Sequence, residues 1–225
     1  PQPLTPDKYI WMKEIWEEAE AYLSNDKVIQ QYEAVCCYIL KAFILKNTKN
    51  ISTEAKVAEF KRYCFEDLCV FLELEMSLLI LFLKNDSSVQ EIFKKLQFGA
   101  KELIDKIYNT AWDIFHIRLL EQSTLFKCIE NPDVIYLHYF ATADSGLSEV
   151  LRANPIKMLV YYNKKIISIR RYDALDFFTQ DELDSYTTEE KLRLREEKVQ
   201  SIDFCSIKQR LSSELGDLLK CRSIV

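Results

Sequence analysis

Hydrophobic residues recur at helical spacing through the first half of the chain. They follow intervals of three and four residues over residues 10–19, 28–43 and 60–82, as on the buried face of a helix. Polar stretches with helix-capping residues separate these segments, at residues 24–26, 46–50 and 84–88. Between residues 7 and 131 there is no proline, and Gly99 is the only glycine. The pattern predicts about four or five antiparallel helices up to residue 121.

The helix predicted over residues 101–121 has two distinct faces. Its apolar positions form one core face: Ile104, Ile107, Ala111, Ile114 and Phe115. A neighbouring polar face carries four residues: Asn109, Thr110, Asp113 and His116. Asp113 and His116 lie one turn apart, so their side chains can meet. Asp113 is either a half-exposed residue that pairs with His116 or Arg118, or a metal ligand supported by Asn109 or His116.

The pattern changes after Pro132. Residues 134–140 are β-branched and aromatic, a turn follows at residues 144–146, and residues 147–153 have helical spacing. Residues 156–162 and 165–169 predict one or two further strands, with Asn163 and Lys164 at a turn. Because the order is strand, helix, strand, the pattern predicts a parallel sheet that contains residues 134–140 and 157–162. Residues 173–179, 188–199 and 206–220 are predicted to be helical.

These elements predict an α/β fold that is predominantly helical. A helical N-terminal half packs on a small, mainly parallel sheet within a domain of residues 1–172, and residues 173–225 form a helical C-terminal appendage. The 225 residues are 48% hydrophobic, enough for a substantial core. The net charge of −5 excludes a uniformly basic surface, so any nucleic-acid contact needs a local patch.

The cysteine usage and the apolar segments predict a cytoplasmic protein. Seven cysteines occur without a C-x-x-C pair, which predicts free thiols rather than a disulfide framework or a zinc site. The first residues lack the apolar core of a signal peptide. Residues 70–83 are the most apolar stretch, but they are short for a membrane span and contain Glu73 and Glu75, so we predict a core helix and no membrane contact.

A second candidate acid, Asp144, follows the predicted strand of residues 134–140. Ligands of open α/β sheets gather beyond the carboxyl ends of strands, so a carboxylate there is well placed to face a crevice. The alternative is structural, because Asp144 or Ser145 can cap the helix that follows. Phosphate-binding glycine loops, zinc-protease motifs and serine-hydrolase motifs are absent from the sequence. Cys128 near His138 is the one neighbourhood that suggests a cysteine hydrolase.

Together the two acids stand in motifs that resemble a known family. A Trp-Asp-Ile-Phe-His helix ending at His116, then Ala-Thr-Ala-Asp-Ser-Gly-Leu ending at Leu147, then a strand with Met-Leu-Val at residues 158–160, resemble the C-terminal half of PIN-like nuclease domains. The resemblance covers residues 100–162. It implies RNA cleavage by three or four acids that bind Mg²⁺ or Mn²⁺. It makes Asp113 and Asp144 catalytic metal ligands, with Asn109, His116, Thr142 and Ser145 in supporting roles.

The resemblance leaves two acids of the family pattern unassigned. In the family, the first acid ends an initial strand, and no such strand precedes the first helices here. Three alternatives remain for this acid: it lies upstream of Pro1, it is lost, or Asp203 replaces it in a permuted topology. Glu73 or Glu75 is the best candidate for the additional helical acid, with Asp67 behind them. The predicted function is a metal-dependent endoribonuclease or an inactive relative that kept the fold.

Two further groups bear on partners. Lys164, Lys165, Arg170 and Arg171 alternate with tyrosines and suit an RNA backbone and its bases, or simply a solvated pair of strands. The rival function is a non-enzymatic helical interaction domain that contacts a protein partner or a second copy of the chain. Its candidate surface consists of N-terminal aromatic residues: Tyr9, Trp11, Trp16 and Tyr22.

Overall fold

The computed structural model describes residues 24–130, 145–162 and 165–222 and, before them, Lys13, Glu17 and Ala21 at helical positions. In chain order the elements are α1 (Asp26–Asn47), α2 (Thr53–Arg62), a π-helix (Tyr63–Asp67), α3 (Glu73–Leu83), a 3₁₀ turn (Ser87–Val89), α4 (Gln90–Phe93), α5 (Leu103–Glu130), α6 (Ser145–Ala153), β1 (Ile156–Tyr162), β2 (Lys165–Arg170), a second 3₁₀ turn (Ala174–Asp176), α7 (Gln180–Tyr186), α8 (Glu189–Val199) and α9 (Phe204–Arg222). The protein is mostly helical, as predicted.

Helix α1 is the centre of the core. It begins at Asn25, whose side chain accepts a hydrogen bond from the backbone N–H of Lys27 at 2.9 Å. Nearly every residue from 33 to 45 is buried, on all sides of the helix, because α2, α3, α5 and α9 pack around it. By length and composition α1 could cross a membrane, but 67% of its apolar stretch is buried by the rest of the chain. Burial inside the fold accounts for this composition.

The single helix predicted over residues 60–82 is interrupted. Helix α2 passes into the π-helix, and residues 68–72 are not helical before α3 begins at Glu73. Cys69 has a φ of 55°, which is uncommon for a residue with a side chain. Tyr38 on α1 accounts for the interruption, because its hydroxyl donates to the Val70 carbonyl at 2.6 Å and accepts from the Leu72 N–H at 3.4 Å. A buried tertiary contact thus satisfies backbone groups that a continuous helix would have paired.

The sheet corrects the prediction of mainly parallel strands. Strands β1 and β2 pair antiparallel, with Tyr162 opposite Lys165 and Ile156 opposite Arg170. A two-residue connection, Asn163 and Lys164, cannot carry the chain back to start a parallel neighbour, whereas it suits a hairpin. Within the described residues this antiparallel pair forms the sheet. The predicted strand of residues 134–140 lies outside the described residues.

The C-terminal segment contributes to the same core. Helix α9 packs along α1, and Phe204, Leu211 and Leu215 are buried there. Lys208 on α9 bonds to Glu33 on α1 at 2.9 Å. The division into a domain of residues 1–172 and an appendage of residues 173–225 stays a prediction.

The described cysteines have the predicted state. Free thiols are found at Cys36, Cys37, Cys64, Cys69 and Cys205. Burial raises the pKa of Cys36 to about 11, so this thiol is protonated at neutral pH and packs as a small apolar group. The free-thiol prediction is confirmed for these residues, and the cytoplasmic location stays a prediction.

Candidate functional site

Helix α5 holds Asp113 in a fixed orientation. Ile107, Ala111, Ile114 and Phe115 are fully buried and anchor the helix in the core, as the helical spacing predicted. Asp113 lies on the neighbouring face and is half-buried. Its carboxylate is therefore presented at the edge of the core by a rigid element.

Asp113 lines a small cavity between three helices, which we call the α4–α5–α6 crevice. Two of its lining residues come from α5, Thr110 and Asp113. The others include Glu91 of α4, Lys95 just after α4, and Gly146 in the first turn of α6. The buried side chains of Ile92 and Val150 hold α4 and α6 beside α5. The cavity volume is about 10 Å³, which is close to the space that one water molecule needs.

The crevice brings two carboxylates, an ammonium and a hydroxyl to one place. The Thr110 hydroxyl donates to the Lys106 carbonyl at 2.9 Å, which leaves its oxygen able to accept or to coordinate. Glu91 forms an exposed ion pair with Lys94 at 2.5 Å. Exposed pairs contribute only about 0–1 kcal/mol, so this carboxylate can turn toward a cation at little cost.

A complete metal site needs a further acid. Within the part of the chain that the structure describes, no three His, Cys, Asp or Glu side chains converge in a way that could hold a metal ion. Asp144 and Thr142, the other predicted site residues of this motif, lie outside that part. Ser145 is the first residue of α6, next to Gly146 of the crevice.

Comparison of the chain with protein-family models, with curated proteins and with solved structures gives no match.

The structure pairs Glu75 with Arg118 and does not bring it to the crevice. The Glu75 side chain is 0% exposed. The Arg118 guanidinium donates from Nε to Oε1 at 2.6 Å and from its second nitrogen to Oε2, a two-pronged contact. Burial lowers the pKa of Arg118, but the Glu75 carboxylate outweighs this effect and the net shift is upward. A charged arginine thus satisfies the buried acid.

Glu73 lies near a second ion pair, between Glu121 and Arg170. Burial raises the pKa of Glu73, and the charge of Arg170 opposes the shift. Arg170, predicted to contact nucleic acid, bonds to Glu121 and to the Asn154 carbonyl at 3.1 Å, and its side chain is only 8% exposed. It would have to leave Glu121 to reach a phosphate. This pair joins the hairpin to α5.

The remaining predicted residues are dispersed. Asn109 is exposed on α5, and Arg171 is exposed after β2. Of the two other candidate acids, Asp67 pairs with Arg62 at 3.0 Å and Asp203 accepts from the Ser206 N–H at 3.0 Å at the start of α9. The side chains of Lys164, Lys165, Cys128 and His138 lie outside the described residues, as do the N-terminal aromatics: Tyr9, Trp11, Trp16 and Tyr22.

His116 packs edge-on against Trp112, with ring centroids 4.5 Å apart, and does not line the crevice. Burial lowers its pKa, and the charge of Asp113 opposes the shift. The fold therefore favours the neutral imidazole, whereas the unfolded chain protonates more readily. Stability linked to His116 is complete above the ordinary pKa of about 6.5 and is lost as the pH falls below it.

We expect the substitution His116→Gln to reduce the loss of stability on acidification below about pH 6.5. Urea unfolding of the wild type and the variant at a series of pH values between about 5 and 8 measures this difference. A variant whose stability falls with pH as steeply as that of the wild type would contradict the assigned direction of the pKa shift.

Glu91 and Lys95 were missed by the sequence reasoning. The helical spacing assigns no element to residues 89–100, because α4 is too short to produce a helical period. The available signal was the cap that precedes it, where Asp86 accepts from the Ser88 N–H at 2.9 Å. That signal predicts a turn of helix but not that α5 packs beside it.

Proposed function

We propose that the chain contains a PIN-like domain and is a metal-dependent ribonuclease that binds its cation in the α4–α5–α6 crevice and cleaves RNA at the mouth of that crevice. One observation carries the proposal: Asp113 and Gly146 line the same cavity. Asp144 precedes Gly146 by two residues, a stretch that spans at most about 7 Å. The helix acid and the strand-following acid of the resemblance are thus expected to meet.

The chemistry of the crevice fits a hard cation. Mg²⁺ and Mn²⁺ prefer carboxylate oxygens, which Asp113, Asp144 and Glu91 supply in this proposal. When bound, such a cation lowers the pKa of a coordinated water and stabilises negative charge on a phosphoryl group. Lys95 contributes a positive charge that attracts the RNA backbone into the crevice.

Cleavage of single-stranded RNA in the presence of Mn²⁺ tests the proposal. We expect Asp113→Asn and Asp144→Asn each to reduce the rate by about 100-fold or more, because each removes a charge that acts on the reacting phosphate. Mn²⁺ should also raise the melting temperature of the wild type by mass action, and each variant should lose this shift. The near-isosteric substitutions keep the side-chain volume.

The matched control is Asp105→Asn, an exposed aspartate in the first turn of the same helix that does not line the crevice. It should leave the cleavage rate and the Mn²⁺ shift unchanged. If Mn²⁺ stabilises the wild type and Asp113→Asn equally, or if RNA is not cleaved, the nuclease proposal fails. The helical interaction domain, or an inactive relative, then takes its place.

A further inference from the structure

A second, larger cavity lies between the π-helix, the end of α7 and helix α8. Its volume is about 560 Å³, within the range of about 300–1,000 Å³ that is typical of small-molecule sites. The lining residues are Phe65, Glu66, Cys69, Tyr186, Lys191, Leu194, Arg195, Glu197 and Lys198. None of them lines the α4–α5–α6 crevice, so this cavity, which we call the aromatic pocket, is a separate site.

One wall of the aromatic pocket is a column of stacked rings. Phe65 and Tyr186 stack with their centroids 4.3 Å apart and their planes at 8°. Phe71 stacks on Phe65 at 5.3 Å, and Phe178 meets the Phe65 ring edge-on at 5.7 Å. Because Phe178 is buried, the column is fixed to the core. Phe65 is itself only 4% exposed, so the ring that the pocket offers to a planar ligand is chiefly that of the half-buried Tyr186.

The pocket also has a positively charged part, which consists of Lys191, Arg195 and Lys198. The Arg195 guanidinium lies 5.2 Å from the Phe65 centroid, and the Lys191 ammonium lies 5.6 Å from the Tyr186 centroid. Lys198 donates to the backbone carbonyl of Glu66 at 2.6 Å. All three cations lie on successive turns of α8 and line one cavity.

The acids of the pocket offset only part of this positive charge. Glu66 and Glu197 also line the cavity, so the lining carries three cations and two carboxylates, a net charge of +1. Across residues 24–130, 145–162 and 165–222, no carboxylate forms an ion pair with Lys191, Arg195 or Lys198. The aromatic pocket therefore has a local positive charge in a protein of net charge −5.

The backbone beneath the pocket is unusual in a way that fits a binding role. The Leu68 N–H bonds to the Tyr63 carbonyl at 2.9 Å, the widened pattern of a π-helix, and Cys69 follows with a φ of 55°. π-helices and left-handed residues cost stability and are found frequently at functional sites. Here they carry Phe65, Glu66 and Cys69 of the lining.

We propose that the aromatic pocket binds a nucleotide, with the base against the Tyr186 ring and the phosphate beside Lys191, Arg195 and Lys198. The lining offers a contact to each half of this ligand. An apolar peptide leaves the three cations without a counter-charge, and inorganic phosphate leaves the aromatic wall uncovered. A free mononucleotide and a nucleotide within single-stranded RNA offer the same chemistry, and the experiment distinguishes these sources.

Calorimetric titration of the full chain at low salt with adenosine 5′-monophosphate tests this inference. We expect saturable binding that is at least about tenfold tighter than that of adenosine or ribose 5-phosphate, since each of these lacks one half of the contacts. Added salt should weaken the binding because a phosphate contact is electrostatic. A short single-stranded oligoadenylate that binds more tightly than the mononucleotide indicates RNA as the source, and one that binds more weakly indicates the free nucleotide.

Two leucines of α8 provide a matched pair of variants. Leu194 is 49% exposed and lines the pocket, whereas Leu192 is 42% exposed and does not. Leu194→Trp should place a bulky ring in the cavity and weaken nucleotide binding at least about tenfold, and Leu192→Trp should bind as the wild type does. Arg195→Gln should weaken adenosine 5′-monophosphate but not adenosine.

The inference is overturned if adenosine binds as tightly as its monophosphate, if Leu194→Trp binds normally, or if no saturable binding is measured. It is independent of the proposed nuclease activity. Asp113→Asn should retain nucleotide binding in the aromatic pocket, and Leu194→Trp should retain Mn²⁺ stabilisation, so the failure of one proposal is distinguishable from the failure of the other.

Discussion

Replacing Arg118 by methionine is expected to lower the free energy of unfolding by about 3–5 kcal/mol. The substitution keeps a long side chain but leaves the Glu75 carboxylate, which is 0% exposed, without its cation. An ionised carboxylate without a partner in an apolar interior loses its hydration and gains nothing in return. Urea unfolding followed by circular dichroism measures the change.

Two further variants separate the loss of a partner from the loss of a side chain. The double variant Glu75→Leu with Arg118→Met should recover most of the stability, because an apolar pair of similar volume replaces both buried charges. Arg152→Met removes an exposed pair with Glu149 and should cost about 0.5 kcal/mol or less. An Arg118→Met variant as stable as Arg152→Met would show that Glu75 is not buried as described.

Removal of residues 173–225 is expected to abolish cooperative unfolding. The segment buries Phe178, Phe204, Leu211 and Leu215, and burial of such side chains contributes about 1.5–3 kcal/mol each. Their loss, about 6–12 kcal/mol, is comparable with the whole stability of a typical domain. It also uncovers the face of α1 that α9 covers. Thermal unfolding of the truncated chain, followed by near-UV circular dichroism, tests this expectation.

A point variant tests the contribution of α9 to the core without truncation. Leu215→Ala on α9 removes a side chain that is 0% exposed and should cost about 2–5 kcal/mol. Leu192→Ala, at a position that is 42% exposed on α8, serves as the control and should change stability by less than about 0.5 kcal/mol. A truncated chain that unfolds cooperatively would support the predicted boundary after residue 172.

The helices and their buried faces could be predicted from the sequence where the period is long. Helix α5 illustrates this, since four of the five residues of its predicted core face are fully buried and the fifth, Ile104, is partly buried. The two strands of the hairpin were predicted within one residue of their observed bounds. These features depend on contacts between near neighbours, which the local pattern records.

The candidate site could be predicted only in part. The polar face of α5 singled out Asp113 because an acid beside a core face is conspicuous in a local pattern. Glu91 could not be found in this way, since its relation to Asp113 depends on how α4 packs against α5. Glu75 was predicted as a candidate site acid within an apolar stretch, but its partner Arg118 could not be predicted because it is 43 residues away in the chain.

The sequence by itself therefore determined that this protein is mostly helical, which faces of its long helices are buried, and that a hairpin-length pair of strands follows Pro155. The antiparallel direction of that pair also follows from the sequence, because a two-residue connection suits a hairpin. Tertiary structure alone decided the interruption before α3, where the Tyr38 hydroxyl replaces helical hydrogen bonds. It also decided the pairing of Glu75 with Arg118 and the assembly of the aromatic pocket from the π-helix and α8. A periodic pattern reports which side of an element avoids water, whereas the identity of the element that covers it depends on contacts between distant parts of the chain.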